Sequence, residues 1–570
     1  MSELTFDETF DFVVVGSGGG SMCAGLIMRS VGKSVVVLEK APLIGGTTSR
    51  SGGVMWIPNN PFMKQEGVED SYEQAMQYME ATAGQSLDAP GTTLERRSAY
   101  VTEGPKMLDF LVKQGIKMRR CAWWPDYYDD RAGGSKKGRT VIADLFDTNE
   151  LGPWRDKLEP NFMVIPAYHD EGFEIAIMKS SWKGKLAMFK VGLRITMAKL
   201  TGKRWTQAGG ALQGRMLQAS LKAGVDLRVN TGVKSFISED GAVKGVVVEK
   251  DGKPWRIGAR SGVLVNAGGF SHNQAMRDKY QPGTSSKWSA ATGGSTGEMI
   301  LEMEKLGAQL AQMEEMVGNQ MSVPPGIENP AGGPGVNLSA LSGGQMHYSK
   351  PHSIVVDQTG VRYMNECGSY MEFCQNLLKR NKLVPALPSY WIADRQYWAK
   401  YMYGGKFPDA AMPKEWYESG FLKEADTLEG LAEQLLMDPK VLRATVERFN
   451  DGARKGVDPD FHRGDREYDN WLGDFHRQDG SYTLGTIEKG PFRAMPVVPG
   501  DVGTFGGVVT DVNARVLRED GSVIEGLYAT GISTASVMGR CYPGAGSSVG
   551  PSFVWGYIAA KHAANAGNVV

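Results

Sequence analysis

The sequence predicts an α/β fold carried by a parallel sheet, and three stretches predict it. Asp11-Phe12-Val13-Val14-Val15 runs straight into Gly16-Ser17-Gly18-Gly19-Gly20-Ser21, an apolar strand followed by a glycine-rich turn. Val263-Leu264-Val265-Asn266-Ala267-Gly268-Gly269-Phe270 is a second buried strand that ends in glycines. Gly526-Leu527-Tyr528-Ala529-Thr530-Gly531 is a third, close to the C-terminus, and it leads into a glycine-rich run and a final helix. Between the second and third lies a long stretch of different character, which reads as an insertion.

After the first turn, Ser21 to Val31 places apolar residues at helical spacing and stops at Gly32, a helix C-cap. Ser34-Val35-Val36-Val37-Leu38 is the next strand and closes on Glu39, 23 positions after Gly16. Such a βαβ unit aims backbone N–H groups and a helix N-terminus at a pyrophosphate, while the acid accepts ribose hydroxyls. Gly16, Ser17, Gly18, Gly19, Gly20, Glu39 and Lys40 are therefore cofactor-binding candidates, with Ser21 standing where a third motif glycine would be. The loop Gly45-Gly46-Thr47-Thr48-Ser49-Arg50-Ser51-Gly52-Gly53 can fold around phosphates and a ring, which adds Gly45, Gly46, Thr47, Thr48, Ser51, Gly52 and Gly53. Ala267, Gly268, Gly531, Ser547, Ser548 and Val549 complete the set. The strand, the Gly45-Gly46 loop and the terminal Ala-Thr-Gly segment together resemble FAD-binding flavoproteins rather than nicotinamide dehydrogenases. That resemblance implies non-covalent FAD in a Rossmann-like domain of the glutathione-reductase type.

At 570 residues the chain is too long for one core. The expected division is an FAD-binding domain over 1–285 and 493–570, with an inserted α+β substrate (cap) domain over 286–492. A formal net charge of −1 gives no reason to propose nucleic acid as a partner. Cys23, Cys121, Cys367, Cys374 and Cys541 form no CxxC pair, and the seven histidines are scattered, so neither a disulfide framework nor a metal site is expected. The N-terminus is acidic and lacks an apolar h-region, and no window approaches 18 apolar residues. These features predict a cytoplasmic protein.

Residues 71–115 carry helical spacing and stop at Gly115. Ala122-Trp123-Trp124-Pro125-Asp126-Tyr127-Tyr128 is aromatic without periodicity, and reads either as a packed surface loop or as the wall of an apolar pocket. Residues 175–205 hold Lys179, Lys183, Lys185, Lys190, Arg194, Lys199, Lys203 and Arg204 and no acid, interleaved with Ile177, Met178, Trp182, Leu186, Met188, Phe189, Val191, Leu193, Ile195, Met197 and Leu200. Two readings stand: a basic amphipathic segment lying in a membrane interface, or a cationic surface helix packed on its own protein. A helix from Gly209 to Ala223, a strand Val225–Val229 and a strand Val243–Glu249 with an Asp251-Gly252 turn lead back to the sheet.

Gly360-Val361-Arg362-Tyr363-Met364-Asn365-Glu366 and Leu484-Gly485-Thr486-Ile487-Glu488-Lys489-Gly490-Pro491-Phe492 resemble motifs of the fumarate reductase and 3-ketosteroid dehydrogenase superfamily. Ser536 to Pro551, with Tyr542 and Gly546 four positions apart, is similar to the 3-ketosteroid Δ1-dehydrogenases. The resemblance runs from 11 to 563, with 175–205 as an insertion. It implies that Tyr542 and the Gly546 N–H hold the C3 oxygen of a 3-ketosteroid, stabilising the developing enolate as an oxyanion hole does. It further implies that Tyr370 removes the C2 proton, that flavin N5 takes the C1 hydride, and that a quinone or other acceptor receives the electrons. Tyr127 matches the tyrosine that supports the base, with Tyr128 as the neighbouring register. A phenol titrates near about 10, so Tyr370 needs a lowered pKa or a transient tyrosinate. The competing readings are a 3-ketosteroid Δ4-(5α)-dehydrogenase, a fumarate or urocanate reductase using His347 or His352, and a membrane-bound flavin-binding module without turnover.

Overall fold

In a computed structural model of the chain, the described residues are 4–161, 165–326, 344–403 and 406–566. A six-stranded sheet runs in the order Arg515–Leu517, Val523–Ala529, Val263–Val265, Phe12–Val15, Val35–Leu38, Asp226–Arg228. Only Arg515–Leu517 pairs antiparallel; Val13 lies beside both Val36 and Val263, and Val263 beside Leu527. The three glycine-ended strands recognised in the sequence are thus neighbours.

Alternation along those strands decides what each face packs against. Phe12, Val14, Val35 and Val37 turn toward the helices Gly19–Ser30 and Val549–Ala566, among Met22, Leu26 and Phe553. Val13, Val15 and Val36 turn the other way, onto Val246, Val248 and Ile257. These belong to a four-stranded sheet of Glu8–Phe10, Lys253–Ala259, Ala242–Lys250 and Val233–Glu239. Asp251 and Gly252, both at positive φ (52° and 74°), make the turn between two of its strands. The Val233–Glu239 strand has no counterpart among the sequence expectations.

A second body is built on the strands Met316–Met321, Phe492–Thr504, Ser389–Ala393 and Ser353–Val356, with Lys423–Ala425 also paired to Phe492–Thr504. The helix Tyr370–Asn381 packs along Met316–Met321. Packing crosses both expected joins. The helix Glu298–Lys305 sends Met299 and Met303 into the core beneath Val13, and the long strand that begins at Phe492 belongs to the second body as far as Thr504.

The basic segment forms two helices, His169–Ala176 and Trp182–Thr201. Gly184, Ala187 and Val191 face inward, packing with Ala167 and Ile175. Trp182, Leu186, Phe189, Leu193, Met197 and Leu200 follow one another at three- and four-residue steps, one face of a helix, and that face is exposed (Trp182 82%, Phe189 69%, Leu200 75%). Among the described residues no helix is long and apolar enough to cross a membrane.

Candidate active site

A long cleft opens at the carboxyl ends of the parallel strands, enclosing about 1470 Å³ out to open solvent. Gly16, Ser17, Gly18, Glu39, Lys40, Gly46, Thr47, Thr48, Ser51, Ala267, Gly268, Gly531, Ser548 and Val549 line it. Three helices begin there, at Gly19, Gly46 and Val549, so the positive ends of three helices converge on one groove. Gly16 makes the tight turn: its φ is +91°, and a Cβ would lie 2.3 Å from the Asn266 carbonyl oxygen. Glu39 accepts from the Ser17 N–H (3.0 Å), the Ser17 hydroxyl (2.6 Å) and the Ala41 N–H (2.9 Å), so its carboxylate is fixed on the wall.

Six expected cofactor residues stand behind this wall. Gly19 and Gly20 let the first helix press against the last one, since Cβ atoms there would meet the Phe553 ring at 2.0 Å and the Ser552 carbonyl at 2.2 Å. Gly45 donates its N–H to the Ser17 hydroxyl at 2.9 Å, and Ser547 bonds the Gly544 carbonyl at 2.7 Å. Gly52 approaches His169, and Gly53 packs on Ala208. The groove suits a dinucleotide. Helix N-termini and the Thr48 hydroxyl would meet a diphosphate there, and a Cβ added at Gly46 would point into open space.

Three tyrosines from three distant segments meet beyond this groove. The Tyr370 ring lies 4.9 Å from Tyr542 and 5.6 Å from Tyr127, and Tyr127 lies 5.9 Å from Tyr542. Tyr370 is the first residue of its helix. The Tyr127 N–H donates to the Pro543 carbonyl (2.9 Å), which also accepts from the Tyr78 hydroxyl (2.7 Å), so the aromatic loop is tied to the Tyr542 segment. The structure brings Tyr127, not Tyr128, to Tyr370. Tyr128 lies under the Arg131 guanidinium, 4.4 Å away. Trp124 is buried against Trp471 at 4.9 Å, so the 122–128 stretch is a packed wall rather than a surface loop.

The Tyr542 hydroxyl is 2.9 Å from the Ser548 hydroxyl and accepts the Ser548 N–H at 3.2 Å. Since Ser548 also lines the cleft, the tyrosines and the groove share a wall. Gly546 sits at φ +94°, and a Cβ would fall 2.3 Å from the Val54 carbonyl oxygen, so the turn that presents its N–H requires glycine. Burial pushes Tyr542 upward, opposed by hydrogen bonds to Ser548, Tyr370 and the Gly546 backbone. It pushes Tyr370 well above the ordinary phenol value, and the Tyr127 and Tyr542 phenols push the same way. That direction is opposite to the lowering expected of a base, because the hydroxyl lies among other phenols and out of water. Two further residues belong to this cluster. Tyr468 stacks on Tyr127 at 4.2 Å, and Phe505 lies 5.9 Å from Tyr542. Neither sits in a motif, and lone aromatics in a loop-rich stretch give no signal in one sequence.

The sequence matches the family described as "FAD binding domain" over residues 11–549. It is 39% identical to a 3-oxosteroid 1-dehydrogenase of Mycolicibacterium smegmatis, covering 97% of each chain. It is 38% identical to one of Mycobacterium tuberculosis, over 98% of this chain and 99% of that one. Among solved structures, the fold matches the 3-ketosteroid Δ1-dehydrogenase of Sterolibacterium denitrificans in complex with 1,4-androstadiene-3,17-dione. That match has a TM-score of 0.90 at 33% identity, over 98% of this chain and 100% of the other.

Proposed function

The chain belongs to the FAD binding domain family, alongside the 3-oxosteroid 1-dehydrogenases, and from that premise we propose that it desaturates C1–C2 of 3-ketosteroids with FAD as cofactor. The observation that carries this reading is Ser548, which lines the dinucleotide groove and bonds the Tyr542 hydroxyl at 2.9 Å. It sets a carbonyl-binding phenol at the edge of the flavin's groove. Bound FAD would supply the hydride acceptor for C1. Tyr542 and the Gly546 N–H polarise the C3 carbonyl and so acidify C2, and Tyr370 takes the C2 proton. Tyr127, beside Tyr370, donates to the phenolate as charge appears there. Burial holds Tyr370 well above the ordinary phenol value, so its charge needs the donors around it. Trp124, Trp471 and Phe505 keep water from the site.

The six-stranded sheet with its two layers supports a Rossmann-like domain of the glutathione-reductase type, and the second body supports an inserted cap. Met299 and Met303 packing beneath Val13, and the strand Phe492–Thr504 pairing within the second body, support joins that lie somewhat later in the chain than 285 and 492. A reductase acting on dicarboxylates would need cationic histidines. His347 is pushed down to about 4 by burial and bonds the Met402 carbonyl, and His352 bonds the Thr486 carbonyl. The electrons leave to a quinone or another acceptor.

The exposed stripe supports peripheral contact with an anionic bilayer. Lys183 and Lys190 flank it on one side and Lys185 and Lys199 on the other, each contributing roughly 1 kcal/mol near such a surface. Arg194 and Lys179 are already paired, with Glu171 and Asp409. Co-sedimentation with anionic vesicles is expected, weakening with salt and in Phe189→Glu; indifference to both would remove the contact from this reading.

The activity is tested anaerobically with androst-4-ene-3,17-dione. Bleaching of the yellow protein and a new C1–C2 double bond are expected, with both lost in Tyr370→Phe. No bleaching with this steroid or a longer-chain 4-en-3-one would overturn the reading.

A further inference from the structure

In the proposed reaction Tyr370 and Tyr542 act on neighbouring atoms of the steroid, yet they belong to different bodies of the protein. Tyr370 opens the helix Tyr370–Asn381, which packs along the strand Met316–Met321 of the second body. Tyr542 follows Ala535, whose N–H donates at 2.9 Å to the carbonyl of Val508, a residue of the core under the parallel sheet. The two rings are 4.9 Å apart, so any slip of one body on the other moves the base against the carbonyl it serves.

Gln375 spans that join. It lies five residues after Tyr370 on the same helix, and its side-chain NH2 group donates to the Arg540 carbonyl at 3.0 Å and to Glu315 Oε2 at 2.8 Å. A carbonyl and a carboxylate both accept, so the amide's orientation is fixed and both of its hydrogens are committed. Arg540 stands two residues before Tyr542, and Glu315 immediately before the strand Met316–Met321. From the cofactor side, the Ser86 hydroxyl accepts the Arg540 N–H at 2.8 Å and Asp88 pairs with its guanidinium at 2.9 Å. From the other side, Glu314 and Glu315 pair with the guanidinium and Gln375 holds the carbonyl. The pairs to Asp88 and Glu314 are screened, since those side chains are 76% and 47% exposed. Of these ties, Gln375 alone sits on the helix that carries Tyr370.

We propose that Gln375 is a positioning residue that locks the helix of Tyr370 onto the backbone leading to Tyr542, and so sets the line along which the base reaches C2. This rests on the assignment of Tyr370 as the base and Tyr542 as a carbonyl donor. Gln375 is about one and a half turns along the helix from Tyr370, so a shift where it is held is carried to the base. Proton removal feels that shift most, because a base works only within hydrogen-bond reach of the proton it takes. The hold on FAD and on the steroid carbonyl does not pass through Gln375 and is left in place.

The test is the rate of anaerobic flavin bleaching in the FAD-loaded enzyme, with androst-4-ene-3,17-dione and with its C2-deuterated form. Gln375→Met keeps the length of the side chain and removes both donors. Bleaching at saturating steroid should slow by about 10- to 100-fold, with KM, flavin content and melting temperature at their wild-type values. The C2 isotope effect should hold its wild-type size or grow, because proton removal is the step that slows. Gln375→Asn, too short to reach both acceptors, should change the rate in the same direction by less, which covers failure of the first variant to fold. An unslowed rate overturns the inference. So does a loss that appears in KM, flavin content or melting temperature instead, or a C2 isotope effect that shrinks. Bleaching at the wild-type rate in Tyr370→Phe would instead overturn the assignment of the base.

Discussion

The dinucleotide groove and the tyrosine cluster share Ser548, yet they are built from different material. The groove is mostly backbone: three helix N-termini, glycines and hydroxyls contributed by turns. The cluster is mostly side chains, drawn from positions 127, 370, 468 and 542 with ring contacts of 4.2 to 5.9 Å, and the Gly546 N–H is the backbone group assigned to it. A site made of backbone depends on what a residue lacks, and one made of side chains on single hydroxyl groups. Substitutions should therefore separate holding the cofactor from using it.

Gly16→Val is the severest break on the groove side. Its side chain would press on the Asn266 carbonyl, 2.3 Å from the new Cβ, at a φ that β-branched residues avoid. We expect protein without bound flavin, read as loss of the yellow colour, and no desaturation at all. A yellow Gly16→Val protein would show that the turn is less constrained than the geometry implies. Tyr542→Phe breaks the other side. Losing one donor from a carbonyl-binding pair costs about 10²–10³ in kcat, while flavin content should stay at the wild-type level. Colour lost together with rate would mean that the two regions are one structural unit.

Acid should also tell them apart. His169 lies beside Trp124, ring to ring at 5.9 Å, and burial pushes it down to about 4, with the Arg119 cation adding to the effect. An unfolded histidine titrates near about 6.5. Between those values the unfolded chain binds the proton and the folded one does not. The stability contributed by the neutral ring is thus full above about 6.5 and is lost as pH falls toward about 4, to a total of about 3 kcal/mol. His169→Gln should flatten the dependence of chemical-denaturation midpoints over that window. An unchanged slope would point to His347, which is also pushed down to about 4.

The same contrast explains what one sequence discloses. The groove was legible because turn, glycine and hydroxyl lie consecutively, as at Gly16–Gly20 and Gly45–Gly53. What it did not disclose is which glycines face the ligand, since Gly19 and Gly20 are required by helix contact with Phe553 and Ser552. Tyr542, Tyr370 and Tyr127 were reached only through family resemblance, for no spacing links them. Tyr468 was missed for the same reason. Its hydrogen-bond partners Gln345 and Asp129 lie 123 and 339 positions away, distances that only the fold closes. The exposed stripe of 182–200 sat between two readings, and burial of Ala187 and Val191 shows that one face packs while the other stays bare.

The weakest expected effect is a latch over the groove. Lys40 reaches across from its strand to the Thr296 hydroxyl at 3.1 Å and pairs with Glu298, whose side chain lines the cleft. Both partners are more than one-third exposed (35% and 38%), so the pair is screened and contributes no more than about 1 kcal/mol. Lys40→Ala should therefore loosen FAD by less than about fivefold, and only at low salt, where the wild-type pair is strongest. The release rate, followed by the rise of free-flavin fluorescence on dilution, checks this. A loss of tenfold or more, persisting in high salt, would mean that Lys40 touches the cofactor itself, and that the groove, like the tyrosine cluster, depends on the end of at least one side chain.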